Sequence, residues 1–203
     1  IRYSTSHPYD CSEKLINTMA EFNNICNYLH LPVQSGSERI LQLMNRLYSI
    51  DQYLSIMNYA KKTIPGIGLS TDIITGFPTE TEEEHKMTLD LMKEVGYDSA
   101  YTFAYSPREN TKAYRMDDDI PQEVKTNRLN EIIHHQRKIS ADIYKDMVGN
   151  KVNILLESVS KKSDDFLMGR TDCNKSVIIP KRNHKIGDLV NTLIVKSNSA
   201  TLF

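Results

Sequence analysis

The sequence predicts an α/β fold of parallel βα units followed by a small all-β barrel of the OB type. In residues 1–148, strand-like apolar stretches alternate with segments of helical periodicity, which is the pattern of a parallel barrel or of an open parallel sheet. After residue 149, short strand-like stretches separated by Gly, Asn, Asp and Pro follow one another without a helix. We therefore predict two domains, 1–148 and 149–203.

Each element is predicted from its periodicity and from the residues at its ends. In the first domain we expect strands at residues 1–4, 28–33, 66–76 and 100–105, and helices at 12–22, from 35, from 49, from 79 to a stop at Gly96, and at 121–148. Three of these helices open with Ser or Thr three residues before Glu or Gln, the spacing of a capping box. The pairs are Ser35–Glu38, Ser49–Gln52 and Thr79–Glu82. In the second domain we expect strands at 152–157, 166–171, 176–179, 189–195 and 200–203.

Composition excludes several classes of protein. No run of about 18 apolar residues is present, so a membrane-spanning helix is not expected. Three scattered cysteines do not form a disulfide framework and indicate a reducing compartment, which we take to be the cytoplasm. No P-loop, GxSxG, HExxH or CxxC motif occurs, so nothing supports a hydrolytic triad or a zinc enzyme. Because the chain opens on a strand-like segment without Met, we expect further sequence upstream.

Charge is distributed unevenly along the chain. Residues 149–203 carry nine Lys or Arg and five Asp or Glu, whereas the first 148 residues carry 16 basic and 21 acidic side chains. A basic module of this kind is typical of a domain that meets a polyanion. Small β domains are also often mildly basic without binding one, so composition alone leaves both interpretations open.

Candidate ligand-binding residues lie where the predicted strands end, which is where parallel α/β folds bind ligands. The amide of Gln34 can donate to and accept from a ribose or a base edge, although a turn-capping role would explain it equally well. Arg46 could bind a carboxylate or phosphate, or pair with Asp51. Asp72 is an acid inside an apolar strand, which is costly unless it is paired or bound to a ligand.

The last strand of the first domain adds further candidates. Gly76 at a strand end would let the backbone approach a flat ligand closely. Tyr101, Phe103 and Tyr105 alternate and therefore share one face; core packing explains most of this stripe, with stacking of a base as the alternative. Arg108 lies in the loop that follows and is suited to a phosphate.

Four segments resemble the radical-SAM methylthiotransferase family: residues 30–37 (HLPVQSGS), 44–46 (MNR), 70–78 (STDIITGFP) and 105–108 (YSPR). Residues 169–175 (GRTDCNK) resemble the TRAM domain of the branch of this family that acts on tRNA. The resemblance covers essentially the whole chain. It implies the C-terminal part of a (β/α) radical-SAM, TIM-like barrel, followed by an OB-like TRAM barrel.

The resemblance also implies an activity and its cofactors. Members of this branch use S-adenosylmethionine and [4Fe–4S] clusters to convert N6-isopentenyladenosine, next to the tRNA anticodon, to its 2-methylthio derivative. The family holds its catalytic cluster with a CxxxCxxC loop, which this sequence lacks, so no metal ligand is assigned here. We expect the chain on its own to be inactive.

Residue roles follow from the same resemblance. Gln34, Arg46 and Asp72 would bind S-adenosylmethionine, Arg46 through the methionine carboxylate and the other two through the ribose hydroxyls. Gly76 and Tyr105 would complete that site. The expected partner is the anticodon stem-loop of tRNA, and a sulfur-donor or electron-donor protein is a further candidate. Basic residues expected to contact the tRNA are Lys161, Lys162, Arg170, Lys175, Lys181, Arg182 and Arg108. The alternative for those of the TRAM domain is an ordinary solvated basic surface, which we expect to apply to some of them.

Two other functions compete with this interpretation. One is the related enzyme that methylthiolates a ribosomal protein, against which the segment 169–175 argues. The other is a non-catalytic RNA-binding protein with a decayed barrel, against which the presence of Gln34, Arg46 and Asp72 argues.

Overall fold

The computed structural model describes residues 1–4 and 6–203, and within them two sheets account for all the extended strands. The first sheet is parallel, with β2 between β1 and β3, which confirms the predicted βα units. Its strands are β1 (Tyr28–His30), β2 (Gly68–Thr75) and β3 (Ser99–Ala104). The helices are α1 (Glu13–Glu21), α2 (Glu38–Leu43), α3 (Ile50–Thr63), α4 (Glu82–Val95) and α5 (Gln122–Lys145).

The second sheet is antiparallel in the order β6-β5-β4-β7 and curls into a small barrel-like domain. Its strands are β4 (Lys151–Val159), β5 (Phe166–Arg170), β6 (Ser176–Pro180) and β7 (Leu189–Leu193). Leu202 forms bridges to Val177 in β6 and to Ser197 beyond β7, and so joins the two edges of the sheet. No helix in the described part of the chain is long and apolar enough to span a bilayer.

The strand predicted at residues 200–203 is wrong, because only the bridges at Leu202 form there. The side chain of Asn198 accepts hydrogen bonds from the backbone N–H of Ala200 at 2.9 Å and of Thr201 at 2.8 Å. This local turn uses the donors that a longer strand would need.

The strand predicted at residues 1–4 is also wrong. The amino group of Ile1 donates to the Asn24 carbonyl, and the Ile1 carbonyl accepts from the N–H of Cys26 at 2.8 Å. The first residues therefore run beside a loop rather than beside a strand, and no ladder is built.

The helix caps agree with the predicted spacing at one of three positions. Ser49 and Gln52 form the expected capping box. The second helix is capped by Ser37 instead of Ser35, and the fourth by Thr81 instead of Thr79. Thr79 has φ of +66°, whereas an N-cap residue needs an extended conformation. Gly96 ends α4 in the left-handed conformation, which confirms the helix end that the sequence predicts there.

Helices cover only one face of the parallel sheet. Leu29, Leu69 and Ile73 pack with Met57 and Met92 in the main core, and each is 2% exposed or less. On β3, by contrast, Tyr101 and Phe103 are 56% and 53% exposed. The prediction that core packing explains the aromatic stripe is therefore wrong, because the described residues leave that face of the sheet uncovered.

The small domain docks on the amino ends of the parallel strands through the turn at residues 171–175. Lys175 is buried, and its ammonium lies 2.5 Å from a carboxylate oxygen of Asp98, just before β3. Gly68, the first residue of β2, lies against the carbonyl of Cys173 with no room for a side chain. Tyr144 at the end of α5 packs into the core of the small domain. The domain boundary at 149 stays a prediction.

An ion-pair network ties the start of α2 to the start of α4. The Glu84 carboxylate accepts from Arg39 at 2.6 and 2.8 Å, from the Ser37 hydroxyl at 2.8 Å and from the Thr81 N–H at 2.9 Å. These contacts lower the pKa of Glu84 to about 2, and the Arg39 guanidinium has the largest effect. Burial acts in the opposite direction. The network holds together the two helices that follow β1 and β2.

We expect Glu84→Gln to lower the free energy of unfolding by about 2 kcal/mol at neutral pH, because it removes charge-assisted hydrogen bonds. The pKa is lower in the folded chain than the ordinary 4.5, so the stabilisation is complete above pH 4.5 and is lost as pH falls through about 2. Urea unfolding followed by circular dichroism at pH 7, 4 and 2.5 measures this. Glu83→Gln, an exposed neighbour in the same turn, is the control and should change stability by less than about 1 kcal/mol. Identical pH dependence in wild type and Glu84→Gln would contradict the prediction.

Candidate functional site

A cavity of about 750 Å³ lies at the carboxyl ends of the three parallel strands. Residues that follow β1 and β3, residues of β2, and the turn after α2 form its walls. Its polar and charged walls include Gln34, Asn45, Arg46, Asp72, Tyr105, Ser106, Arg108, Thr111 and Lys112. The structure thus brings together six residues singled out in the sequence: Gln34, Arg46, Asp72, Phe103, Tyr105 and Arg108.

Gln34 continues the pairing of β1 beyond its last residue. Its N–H donates to the Asp72 carbonyl at 2.8 Å, and its carbonyl accepts from the Ile74 N–H at 2.9 Å. It adopts φ of +71°, a conformation that costs a non-glycine residue about 1–2 kcal/mol. The two hydrogen bonds to β2 hold this strained backbone in place at the cavity wall. Strain of this kind cannot be read from sequence.

Arg46 reaches the cavity from the turn that ends α2. Its N–H donates to the Leu41 carbonyl at 2.8 Å, and one guanidinium nitrogen lies 3.1 Å from Nε2 of His7. The alternative pairing with Asp51 is absent among the described residues. A guanidinium has five N–H donors, so the contact with His7 leaves donors for a carboxylate ligand.

Asp72 lies in the middle of β2 with 29% of its side chain exposed. Its carboxylate lies 3.4 Å from Nε2 of His30, and Nδ1 of the same ring is 2.7 Å from the Ser70 hydroxyl. The expectation that an acid at this position needs a partner is met by His30, which sequence reasoning had not paired with it.

Gly76 has a different neighbour from the one expected. It has φ of +70°, and a Cβ added here would lie 2.5 Å from Cγ of Lys125. Gly76 is not among the residues that line the cavity. The prediction that Gly76 leaves space for a ligand is therefore wrong. The aliphatic part of the Lys125 side chain, which extends from α5, fills that space.

Tyr105 forms part of the wall next to this glycine. Its ring packs edge-to-face against Phe77 with centroids 5.0 Å apart, and its hydroxyl donates to the Ala113 carbonyl at 3.1 Å. Burial raises the pKa of its phenol, and the negative charge of Asp118 adds to this effect. The hydroxyl is therefore protonated at neutral pH.

Two neighbouring loops of the small domain carry exposed basic side chains. Lys161 and Lys162 follow β4, and Lys181 and Arg182 follow β6. The Lys181 N–H donates to the Asp165 carbonyl at 2.8 Å, which holds the two loops together. We call Lys161, Lys162, Lys181 and Arg182 the basic loops.

The other two basic candidates of this domain are engaged within the fold. Lys175 is buried and paired with Asp98, so its predicted contact with tRNA phosphate is wrong. Arg170 is partly exposed; its guanidinium donates to the Asn174 side chain at 2.9 Å and lies 3.2 Å from Glu157. Charge patterning carries no information on which basic side chains are buried, so Lys175 could not be separated from the others.

Within residues 1–4 and 6–203, no group of three or more His, Cys, Asp or Glu side chains could hold a metal ion. Cys11, Cys26 and Cys173 are free thiols.

Two family models match this chain. Residues 1–92 match the Radical SAM superfamily, and residues 145–203 match the TRAM domain. Residues 1–92 therefore form part of a radical SAM domain. The curled antiparallel sheet is a TRAM domain.

Curated relatives match along the whole chain. It is 49% identical over 203 residues to the tRNA-2-methylthio-N(6)-dimethylallyladenosine synthase of Chloroherpeton thalassium. It is 52% identical over 204 residues to the synthase of the same name from Chlorobium phaeobacteroides. Each match covers 100% of this chain, but 45% and 46% of the respective relative. The chain therefore spans less than half the length of these relatives.

Solved structures support the radical SAM fold. Coproporphyrinogen III oxidase (HemN) from Escherichia coli, a radical SAM enzyme, superposes with a TM-score of 0.58 at 16% identity, over 83% of this chain and 45% of that one. The archaeal Methanocaldococcus infernus Elp3 gives 0.50 at 22% identity, over 66% and 32%. The predicted fold class, part of a radical SAM barrel followed by an OB-like TRAM barrel, is confirmed.

We expect Gly76→Ala to lower the free energy of unfolding more than Gly96→Ala does. Both glycines have positive φ, which costs alanine about 1–2 kcal/mol, but Gly96 has open space around it whereas Gly76 faces Lys125. Overpacking adds about 1–3 kcal/mol at Gly76 only. Urea unfolding of the two variants measures the difference directly. Equal losses of stability would show that the Lys125 side chain moves away from the new methyl group without lowering the free energy of unfolding.

Proposed function

We propose that this chain is part of a radical-SAM methylthiotransferase that converts N6-isopentenyladenosine, next to the tRNA anticodon, to its 2-methylthio derivative. The convergence of Gln34, Arg46 and Asp72 in one cavity carries the proposal. Identity of about half the residues to tRNA-2-methylthio-N(6)-dimethylallyladenosine synthases, along the whole chain, supports it. Nothing observed favours the ribosomal-protein enzyme or a decayed barrel over this function.

The cavity fits S-adenosylmethionine in size and in chemistry. A volume of about 750 Å³ lies within the range of small-molecule sites. The Arg46 guanidinium matches the carboxylate of the methionine moiety. The Gln34 amide and the Asp72 carboxylate suit the ribose hydroxyls. Tyr105 would form the wall of the cavity next to the adenine of the cofactor.

The residues present do not fit a [4Fe–4S] cluster, because the described chain offers no ligand set for one. We therefore leave cluster ligation to the remainder of the whole protein and derive no step through it. S-adenosylmethionine supplies one-electron chemistry when it is bound at such a cluster. The part of this chain is to bind the cofactor and to fix its carboxylate and ribose relative to the cavity wall.

The TRAM domain is proposed to bind the backbone of tRNA near the anticodon stem-loop. The basic loops are exposed and adjacent, as phosphate contacts require. Arg170, partly exposed, is a weaker candidate. Arg108, an exposed residue at the cavity, is suited to a phosphate of the substrate nucleotide. We place this function in the cytoplasm, with a sulfur-donor or electron-donor protein as a further partner.

Asp72→Asn in the whole protein should weaken binding of S-adenosylmethionine about tenfold, because one charged hydrogen-bond acceptor for the ribose is lost. Affinity for tRNA should stay unchanged. Equilibrium dialysis with labelled cofactor and a tRNA gel shift measure the two. Asp90→Asn, an exposed acid on α4, is the control. Unchanged cofactor affinity in Asp72→Asn would remove Asp72 from the site.

Replacing Lys161 and Lys162 together by Ala should reduce the salt dependence of tRNA binding. Each lost phosphate contact lowers the slope of log K against log salt by about 0.9 on a duplex. Filter binding at four salt concentrations gives this slope. The matched control is the double replacement of Lys86 and Lys93, which are exposed on α4. A slope equal to that of the wild type would show that Lys161 and Lys162 do not contact phosphate and belong to an ordinary solvated surface.

A further inference from the structure

The loop that connects β3 to α5 builds much of one cavity wall. Its residues 105–113 contribute Tyr105, Ser106, Arg108, Thr111, Lys112 and Ala113 to the lining. Most of this loop is exposed and contains a single 3₁₀ turn, at Ala113–Arg115. A segment of this kind needs attachments to the rest of the fold if it is to keep one shape.

The strongest attachment comes from Lys125 in the first turns of α5. Only 3% of its side chain is exposed, and its ammonium donates to both carboxylate oxygens of Asp118, at 2.5 and 2.6 Å. Asp118 lies on the loop and is 34% exposed. If the loop moved away, the buried ammonium would be left without a partner, which is costly. The pair therefore holds the loop against the helix.

Lys125 also contacts the ends of both neighbouring strands. Its stem fills the space above Gly76 at the end of β2, and its ammonium lies 5.3 Å from the centre of the Tyr105 ring, just past β3. One side chain therefore touches the β2 end, the β3 end and the far part of the loop. The neighbouring Asp119 adds a bond, since its carboxylate accepts from the Thr79 N–H at 2.8 Å.

We propose that Lys125 is a positioning residue, which holds residues 105–118 against the cavity and thereby sets the wall that contains Tyr105 and Arg108. It acts through Asp118 and Tyr105 and does not itself line the cavity. Its effect on cofactor binding rests on the proposed function of the cavity, whereas its effect on the loop does not.

Trypsin reports on the loop directly, because Arg108, Lys112 and Arg115 are exposed cleavage sites within it. In the full-length protein, Lys125→Met should raise the rate of cleavage at these three sites at least tenfold, as measured by mass spectrometry of the new termini. Lys125→Arg, which keeps the charge, should restore most of the protection. Asp118→Asn breaks the same pair from its exposed end and should also increase cleavage, without removing a core side chain.

The control is Lys175→Met, which removes the other buried Lys–Asp pair of the same length, at the opposite end of the sheet. It should lower global stability while leaving loop cleavage at the wild-type rate. Unchanged loop cleavage in both Lys125→Met and Asp118→Asn would overturn the proposal, as would an equal increase in Lys175→Met.

Binding of S-adenosylhomocysteine, measured by calorimetry, separates the loop from the cofactor assignment. We expect about tenfold weaker binding in Lys125→Met and no change in Lys175→Met. Faster cleavage with unchanged binding would support the role of Lys125 in the loop and overturn the assignment of the wall with Tyr105 and Arg108 to the cofactor site.

Discussion

The candidate site depends on one constraint, the parallel pairing of three strands that end at the same edge. Gln34 is bonded to the backbone on both sides of Ile73, and the Tyr105 N–H donates to the Thr75 carbonyl at 2.8 Å. These main-chain bonds bring the ends of β1 and β3 to β2. Because side chains alternate along a strand, Asp72 and Ile74 then point to the same face, towards the cavity.

Buried cations on α5 form a second layer behind this edge. Arg128, one turn after Lys125, donates to Glu80 at 2.9 Å, and the same carboxylate accepts from the Gly76 N–H at 3.0 Å. Burial raises the pKa of Glu80, while this N–H and Arg128 act in the opposite direction. Buried pairs add little net stability, but loss of one partner leaves a charge unpaired. The two cations therefore favour one arrangement of the loops that follow β2 and β3.

The TRAM domain is attached to the opposite edge of the same sheet. Lys175 meets Asp98 there, and Gly68 lies against Cys173. The segment 169–175, which carried the resemblance to this domain, thus also carries much of its docking surface. Contacts at the amino ends of the strands leave the carboxyl ends free for ligand binding. The basic loops are exposed and follow β4 and β6, at the end of the antiparallel sheet opposite the docking turn after β5.

Local signals in the sequence determined the alternation of strands and helices, the cap at Ser49 and the stop at Gly96, since each depends on hydrogen bonds within a few residues. Gln34 was selected by its position just beyond a strand, Asp72 as an acid within an apolar strand, and both of them together with Arg46 by the family resemblance. All three line one cavity. Only the tertiary structure decided the neighbour of Gly76, the burial of Lys175 and the exposure of the aromatic stripe on β3. Periodicity shows which side chains share a face, but what covers that face, or pairs with a charge on it, comes from segments far away in the chain.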